Sequence, residues 1–177
     1  MKALSVFVPL VLASLVLIHQ NSGAFLKLTN LVCESSNQSW VRFDHCRLKA
    51  INRNKTVANI NATFLAPATD ISLRLQIQKK ANGYKPWLFD VTIDACKFVR
   101  NRNNPFAKVI WNLFRNYSTA NHTCPYVGLQ RVKDFHLTPE KVPLPLPTGE
   151  YALLMTWTLN QEVTFVTNVY FTYTEDF

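Results

Sequence analysis

Between Asp70 and Cys124 the hydrophobic period of this chain changes once, from alternation to a helical repeat, and that change limits the folds open to it. Ile71, Leu73, Leu75 and Ile77 alternate with Ser72, Arg74, Gln76 and Gln78. After Asn82-Gly83 the alternation resumes, with Trp87, Phe89, Val91, Ile93 and Ala95 against Leu88, Asp90, Thr92 and Asp94. Period-two patterning on both sides of Asn-Gly predicts an antiparallel hairpin with one dry face and one wet face. Then Phe106, Val109, Ile110, Leu113, Phe114 and Tyr117 fall on one helical stripe. Asn104 suits the N-cap and Pro105 the first helical position, where a missing N–H costs nothing. The stripe reads either as plain core packing or as a flap beside a hydrophobic opening.

The remaining segments repeat the strand pattern. Strands are expected over 25–34, 39–51, 56–65, 130–137, 150–159 and 163–173. In the second, the inward register passes from Val41 and Phe43 to Cys46, Leu48 and Ala50, so a bulge near Asp44-His45 is expected. In the third, Ala58, Ile60, Ala62 and Phe64 form the dry face, and Pro67 is expected to end the strand. In the last two, Tyr151, Leu153, Met155, Trp157 and Leu159, then Val163, Phe165, Val169, Phe171 and Tyr173, are read as inward. The run from Pro139 to Pro147 favours extended polyproline geometry and reads as a stiff connector. Seven or eight strands at this spacing predict a mainly β, two-sheet antiparallel sandwich of immunoglobulin-like type, with one amphipathic helix inserted.

The address is read from the first residues and the cysteines. Lys2, the apolar run Leu4–Ile18 and the small residues Ser22 and Ala24 form a secretory signal over 1–24, leaving 25–177 as a single domain. The apolar run is shorter than the ~20 residues a membrane span needs, so no stable span is expected. Cys33, Cys46, Cys96 and Cys124 allow three pairings; Cys33–Cys46 with Cys96–Cys124 is expected because it closes local loops. Five N-x-S/T sequons, at Asn37, Asn54, Asn61, Asn116 and Asn121, exceed the roughly two that chance supplies. All of this describes an exported glycoprotein.

Composition removes other functions. With 48% hydrophobic and 17% charged residues a packed core is expected. Four glycines build no glycine-rich phosphate loop, and no G-x-S-x-G, HExxH or CxxC occurs. His45, His122 and His136 are too dispersed for a metal site, and Asp90 with Asp94 reads as a wet strand face. No catalytic residue, cofactor or metal is expected. The formal charge of +8 is spread along the chain, densest at Lys97, Arg100 and Arg102, and the exported address disfavours nucleic acid.

Four segments carry a family resemblance: NGYKPWLFDVTIDACKF at 82–98, NPFAKVIWNLF at 104–114, YSTANHTCPY at 117–126 and LPLPTGEY at 144–151. They resemble a large insect family of small secreted proteins that includes the chemosensory protein B (CheB) group. That family is similar to ML-type lipid-recognition domains such as the ganglioside activator. The resemblance implies sheets that splay to admit acyl chains or sterols and, for the CheB-like branch, a role in gustatory or pheromone perception.

The reading that follows is a secreted binding protein for a hydrophobic small molecule. Phe64, Leu75, Trp87, Phe89, Phe106, Ile110, Leu153 and Trp157 are the candidate lining. The alternative is a glycosylated module with a solid core that engages a cell-surface receptor or glycan, with Trp111 and Arg115 as contacts.

Overall fold

The computed structural model describes residues 23–175; nearly all of the expected leader lies outside them. The chain forms strands β1 (Phe25–Ser35), β2 (Val41–Asn52), β3 (Lys55–Ala68), β4 (Ile71–Ala81) and β5 (Gly83–Asp94). Two helices follow, α1 (Ala95–Asn101) and α2 (Pro105–Phe114), and then β6 (Tyr126–Phe135), β7 (Gly149–Leu159) and β8 (Glu162–Thr174). The strands make two antiparallel sheets, ordered β1-β8-β7-β4-β5 and β2-β3-β6. The two inner faces share one hydrophobic core, so the fold is the expected β-sandwich.

The expected bulge in β2 is present: pairing with β3 shifts between Phe43/Ala62 and His45/Asn61. It lets Val41 and Phe43, and then Cys46 and Leu48, all pair with inward residues of β3. Pro67 does not end β3. The strand continues to Ala68, while pairing with β6 skips from Phe64/Gly128 to Ala68/Tyr126. Proline is accommodated because it sits in that irregularity, where no ladder donor is required.

The hairpin turn differs in detail from its expectation. Only Gly83 takes positive φ, at +87°, and Lys80 pairs with Tyr84 across the tip. That is the three-residue connection with a left-handed glycine, not the two-residue turn.

The period change marks two helices among the described residues, not one. Ala95 does not continue β5. Asp94, read as a wet strand residue, is the N-cap of α1, accepting from the Lys97 N–H at 2.8 Å, and Arg102 closes the helix in a left-handed conformation at φ 48°. In α2 the cap is as expected: Asn104 Oδ1 accepts from the Ala107 N–H at 3.0 Å, with Pro105 in the first turn.

Both cysteine pairs form as expected. Cys33–Cys46 joins β1 of the large sheet to β2 of the small one, with Cα atoms 6.2 Å apart. Cys96–Cys124 joins α1 to the segment entering β6, with Cα atoms 5.5 Å apart. The proline-rich connector is anchored from one side: Val142, Leu144 and Leu146 pack on the core while Pro143 and Pro145 face solvent. Tyr151, fully buried, donates to the Pro147 carbonyl and stacks on Phe171.

Asn104→Ala, which removes the α2 cap, is expected to lower stability by about 1 kcal/mol in urea denaturation. Replacing Cys33 and Cys46 together by alanine is expected to cost about 3 kcal/mol in the same measurement.

Candidate functional site

Inward positions of both sheets do not meet everywhere. Between them lies a cavity of about 200 Å³. Leu73 and Leu75 from β4, Leu153, Met155 and Trp157 from β7, and Phe165 and Val169 from β8 form one wall. Ile60, Ala62 and Phe64 from β3, with Val132 and Phe135 from β6, form the opposite wall. A third side is helical: Ala95, Phe98 and Val99 from α1, and Ala107, Ile110, Trp111 and Phe114 from α2.

The space has a local cause. Alanine occupies the wall at Ala62, Ala95, Ala107 and Ala120, on four different segments. Aromatic rings meet at one end instead of filling the middle. Phe165 packs edge-on to Phe43 and Phe64, with centroids 5.8 and 5.9 Å apart, and stacks on Trp157 at 5.3 Å. Leu153, Met155 and Trp157 face inward yet are only half-buried, since part of their surface borders the cavity.

Few polar groups reach this wall, and most are already bonded. Trp157 Nε1 donates to Thr167 Oγ1 at 2.9 Å, and Ser118 Oγ accepts from the Ala120 N–H at 3.0 Å. Gln130 is held by Thr119 and the Val127 carbonyl. Burial pushes the Tyr126 phenol above its ordinary range; it donates to the His122 carbonyl and stays neutral at physiological pH. The exception is Trp111, 5% exposed, whose Nε1 is buried with no partner; Arg115 Nε, one turn further along the helix, is the other such atom among the described residues.

Of the eight lining residues expected from sequence, Phe64, Leu75, Ile110, Leu153 and Trp157 line the cavity. Trp87 does not. The β4–β5 pairing passes from Gln76/Asp90 to Gln78/Pro86, setting three residues of β5 opposite Ile77, and Trp87 is the first of those three, 44% exposed. Its ring is covered by the Lys79 ammonium, 5.3 Å from the centroid. Phe89 is buried, but against Phe106: the rings stack at 4.9 Å where α2 begins, outside the cavity, and Phe106 stays at the surface. Val163, read as inward, is also exposed, at the start of β8.

Trp111 is corrected in the opposite sense. Under the alternative reading it is a surface contact beside Arg115, but it is buried in the cavity wall because α1 covers its flank, with Phe98 edge-on at 6.3 Å.

The sequons lie away from the cavity. Asn54, Asn116 and Asn121 are exposed, Asn37 is half-buried at the start of the β1–β2 connection, and Asn61 is half-buried, in register with His45 and Arg131 on the outer face of the small sheet. Arg42 and Arg47 share that face through their pairing with Thr63 and Asn59, a clustering that spacing along the chain did not reveal. Asp90 accepts two hydrogen bonds from Arg74, which hold its carboxyl below the usual range; with Asp94 capping α1, neither carboxylate reaches the cavity. No group of histidine, cysteine and carboxylate side chains able to hold a metal occurs among the described residues.

These features define a disulfide-bonded β-sandwich with an apolar chamber between its sheets and a helical side wall. Residues 73–153 match a family model described as "Protein of unknown function (DUF1091)", a span from β4 to the middle of β7 that includes both helices and the Cys96–Cys124 bridge. No curated protein matches the chain.

Phe165→Ala, which removes the ring shared by both sheets, is expected to cost about 3–5 kcal/mol in chemical denaturation, because the chamber beside it prevents the usual collapse.

Proposed function

We propose that this chain is a secreted carrier that holds a single-tailed hydrophobic small molecule between its two sheets. The observation that carries the reading is the chamber of about 200 Å³, walled by aliphatic and aromatic side chains from both sheets and both helices. That volume exceeds the ~150 Å³ cavity that stays dry and takes up benzene. It falls below the ~300 Å³ at which pockets for drug-sized ligands begin. Size therefore favours one short chain over a sterol or a two-chain lipid.

Energetics favour the same class. Burying roughly eight methylenes contributes about 6 kcal/mol, at ~0.8 kcal/mol each. Association and ordering offset several kcal/mol of that. A purely apolar tail would bind reversibly and weakly, as suits a carrier that must release its cargo. Two disulfides and an N-terminal run that reads as a secretory signal support an extracellular setting. No helix among the described residues is long and apolar enough to cross a membrane. The resemblance to CheB-like proteins adds chemosensory or pheromone perception as the biological context.

A second reading, recognition by the outer surface, is favoured by one observation. Arg42, Arg47 and Arg131 gather on the exposed face of the small sheet, with Asp44 beside Arg42. Such a face suits an anionic receptor or glycan.

Met155→Trp, which fills the chamber from β7, separates the two. Displacement of N-phenyl-1-naphthylamine by medium-chain ligands is expected to fall at least about tenfold in the variant, with its circular dichroism unchanged. Unaltered uptake by a folded Met155→Trp variant would point to the surface and away from the chamber.

A further inference from the structure

We infer that the chamber holds its guest by hydrocarbon alone: the enclosed segment is an unsubstituted alkyl or alkenyl chain, and no group of the wall recognises a polar function. This class of cargo deepens the carrier reading and rests on it. The surface bordering the chamber is almost wholly carbon, supplied by aliphatic and aromatic side chains of both sheets and both helices. Polar residues stand in the wall, but their polar atoms are committed within the protein.

Thr167 is buried and its hydroxyl oxygen accepts from the Trp157 indole. Ser118 is buried likewise, and its oxygen accepts from the Ala120 N–H. Gln130 accepts from the Thr119 hydroxyl and donates to the Val127 carbonyl. The Tyr126 phenol donates to the His122 carbonyl. Arg131 borders the chamber as part of β6, yet its register with Asn61 turns its side chain to the outer face of the small sheet. Trp111 presents ring carbon only, because its Nε1 has essentially no accessible surface.

Such a wall resembles an alkane solvent more than an alcohol. A hydroxyl or carbonyl that leaves water for a place without a partner loses its hydrogen bonds and regains none, and an ionised carboxylate loses far more. A carrier that encloses a fatty acid whole needs a cation or a set of donors facing the space, and among the described residues the wall turns neither toward it. Recognition is left to shape. Chain length, branching and double-bond geometry decide how a guest meets the rings around Phe165 and the space left by Ala62, Ala95, Ala107 and Ala120.

The test uses the full secreted chain with octane and with carbon-13-labelled 4-octanone, whose oxygen sits mid-chain and enters the chamber with its two arms. Uptake of each is read by headspace gas chromatography, beside its partition from water into cyclohexane, a solvent that offers no hydrogen bond. The protein is expected to favour octane over the ketone by at least the ratio that cyclohexane shows. A ketone held about tenfold tighter than that ratio allows has found a hydrogen bond in the wall and overturns the inference, with octane uptake leaving the carrier reading intact.

Infrared spectra give a direct readout on the wild-type chain. The carbonyl stretch of the bound ketone is expected at its cyclohexane frequency. A shift to the lower frequency it shows in octanol or water overturns the inference, because the oxygen then has a partner. Failure of the folded protein to take up octane overturns the carrier reading itself, and octane uptake that survives in folded Met155→Trp does the same by placing the guest outside the chamber.

Discussion

The chamber depends on a wedge. On one side of the sandwich, Cys33–Cys46 ties β1 to β2 and draws the sheets together. On another, α1 and α2 occupy the passage from the large sheet's edge strand β5 to the small sheet's edge strand β6, and Cys96–Cys124 fixes that passage. Helices are thicker than extended chain, about 10 Å across with side chains, so a pair inserted there sets a minimum gap between strand edges. Two sheets free to pack would settle at close contact with interdigitated side chains. Here the wedge and the alanines facing it withhold that contact in the middle of the sandwich, while the rings around Phe165 complete it at one end.

Much of this arrangement was legible, because alternation is a strong signal wherever a sheet has one dry face. The inward sets of β3, β4 and β7, the β2 bulge and the α2 cap follow from residue order alone. Alternation does not say how far along a strand the core extends. Trp87 and Val163 obey the pattern and still reach solvent, the first because it sits in the irregular pairing of β5 with β4, the second because it lies at the start of β8. The sequence also underweighted α1. Its two turns begin in phase with the strand before it, so Ala95 reads equally well as the last inward strand residue.

That omission explains the misplacement of Trp111. On α2 alone, Trp111 sits beside the apolar stripe and looks like a surface residue. Once α1 packs on that flank, the buried sector widens to include it. A helix face can be assigned from its own sequence only when its neighbours are known. The basic outer face of the small sheet is a similar case: Arg42, Arg47 and Arg131 are far apart in the chain and meet through strand register.

Whether an internal space is a defect or a site can be argued from its cost. At about 24 cal/mol per Å³ of unfilled volume, a cavity of this size forgoes roughly 5 kcal/mol of packing. That is comparable to the whole stability of many domains. A sandwich with an ordinary core recovers it by replacing alanine with leucine or valine on any of several segments, and four such positions border this chamber. On the proposed reading, the apolar tail of a guest supplies the missing contacts. On the carrier reading the same physics sets selectivity: a guest with a second bulky chain must force the helices away from the sheets.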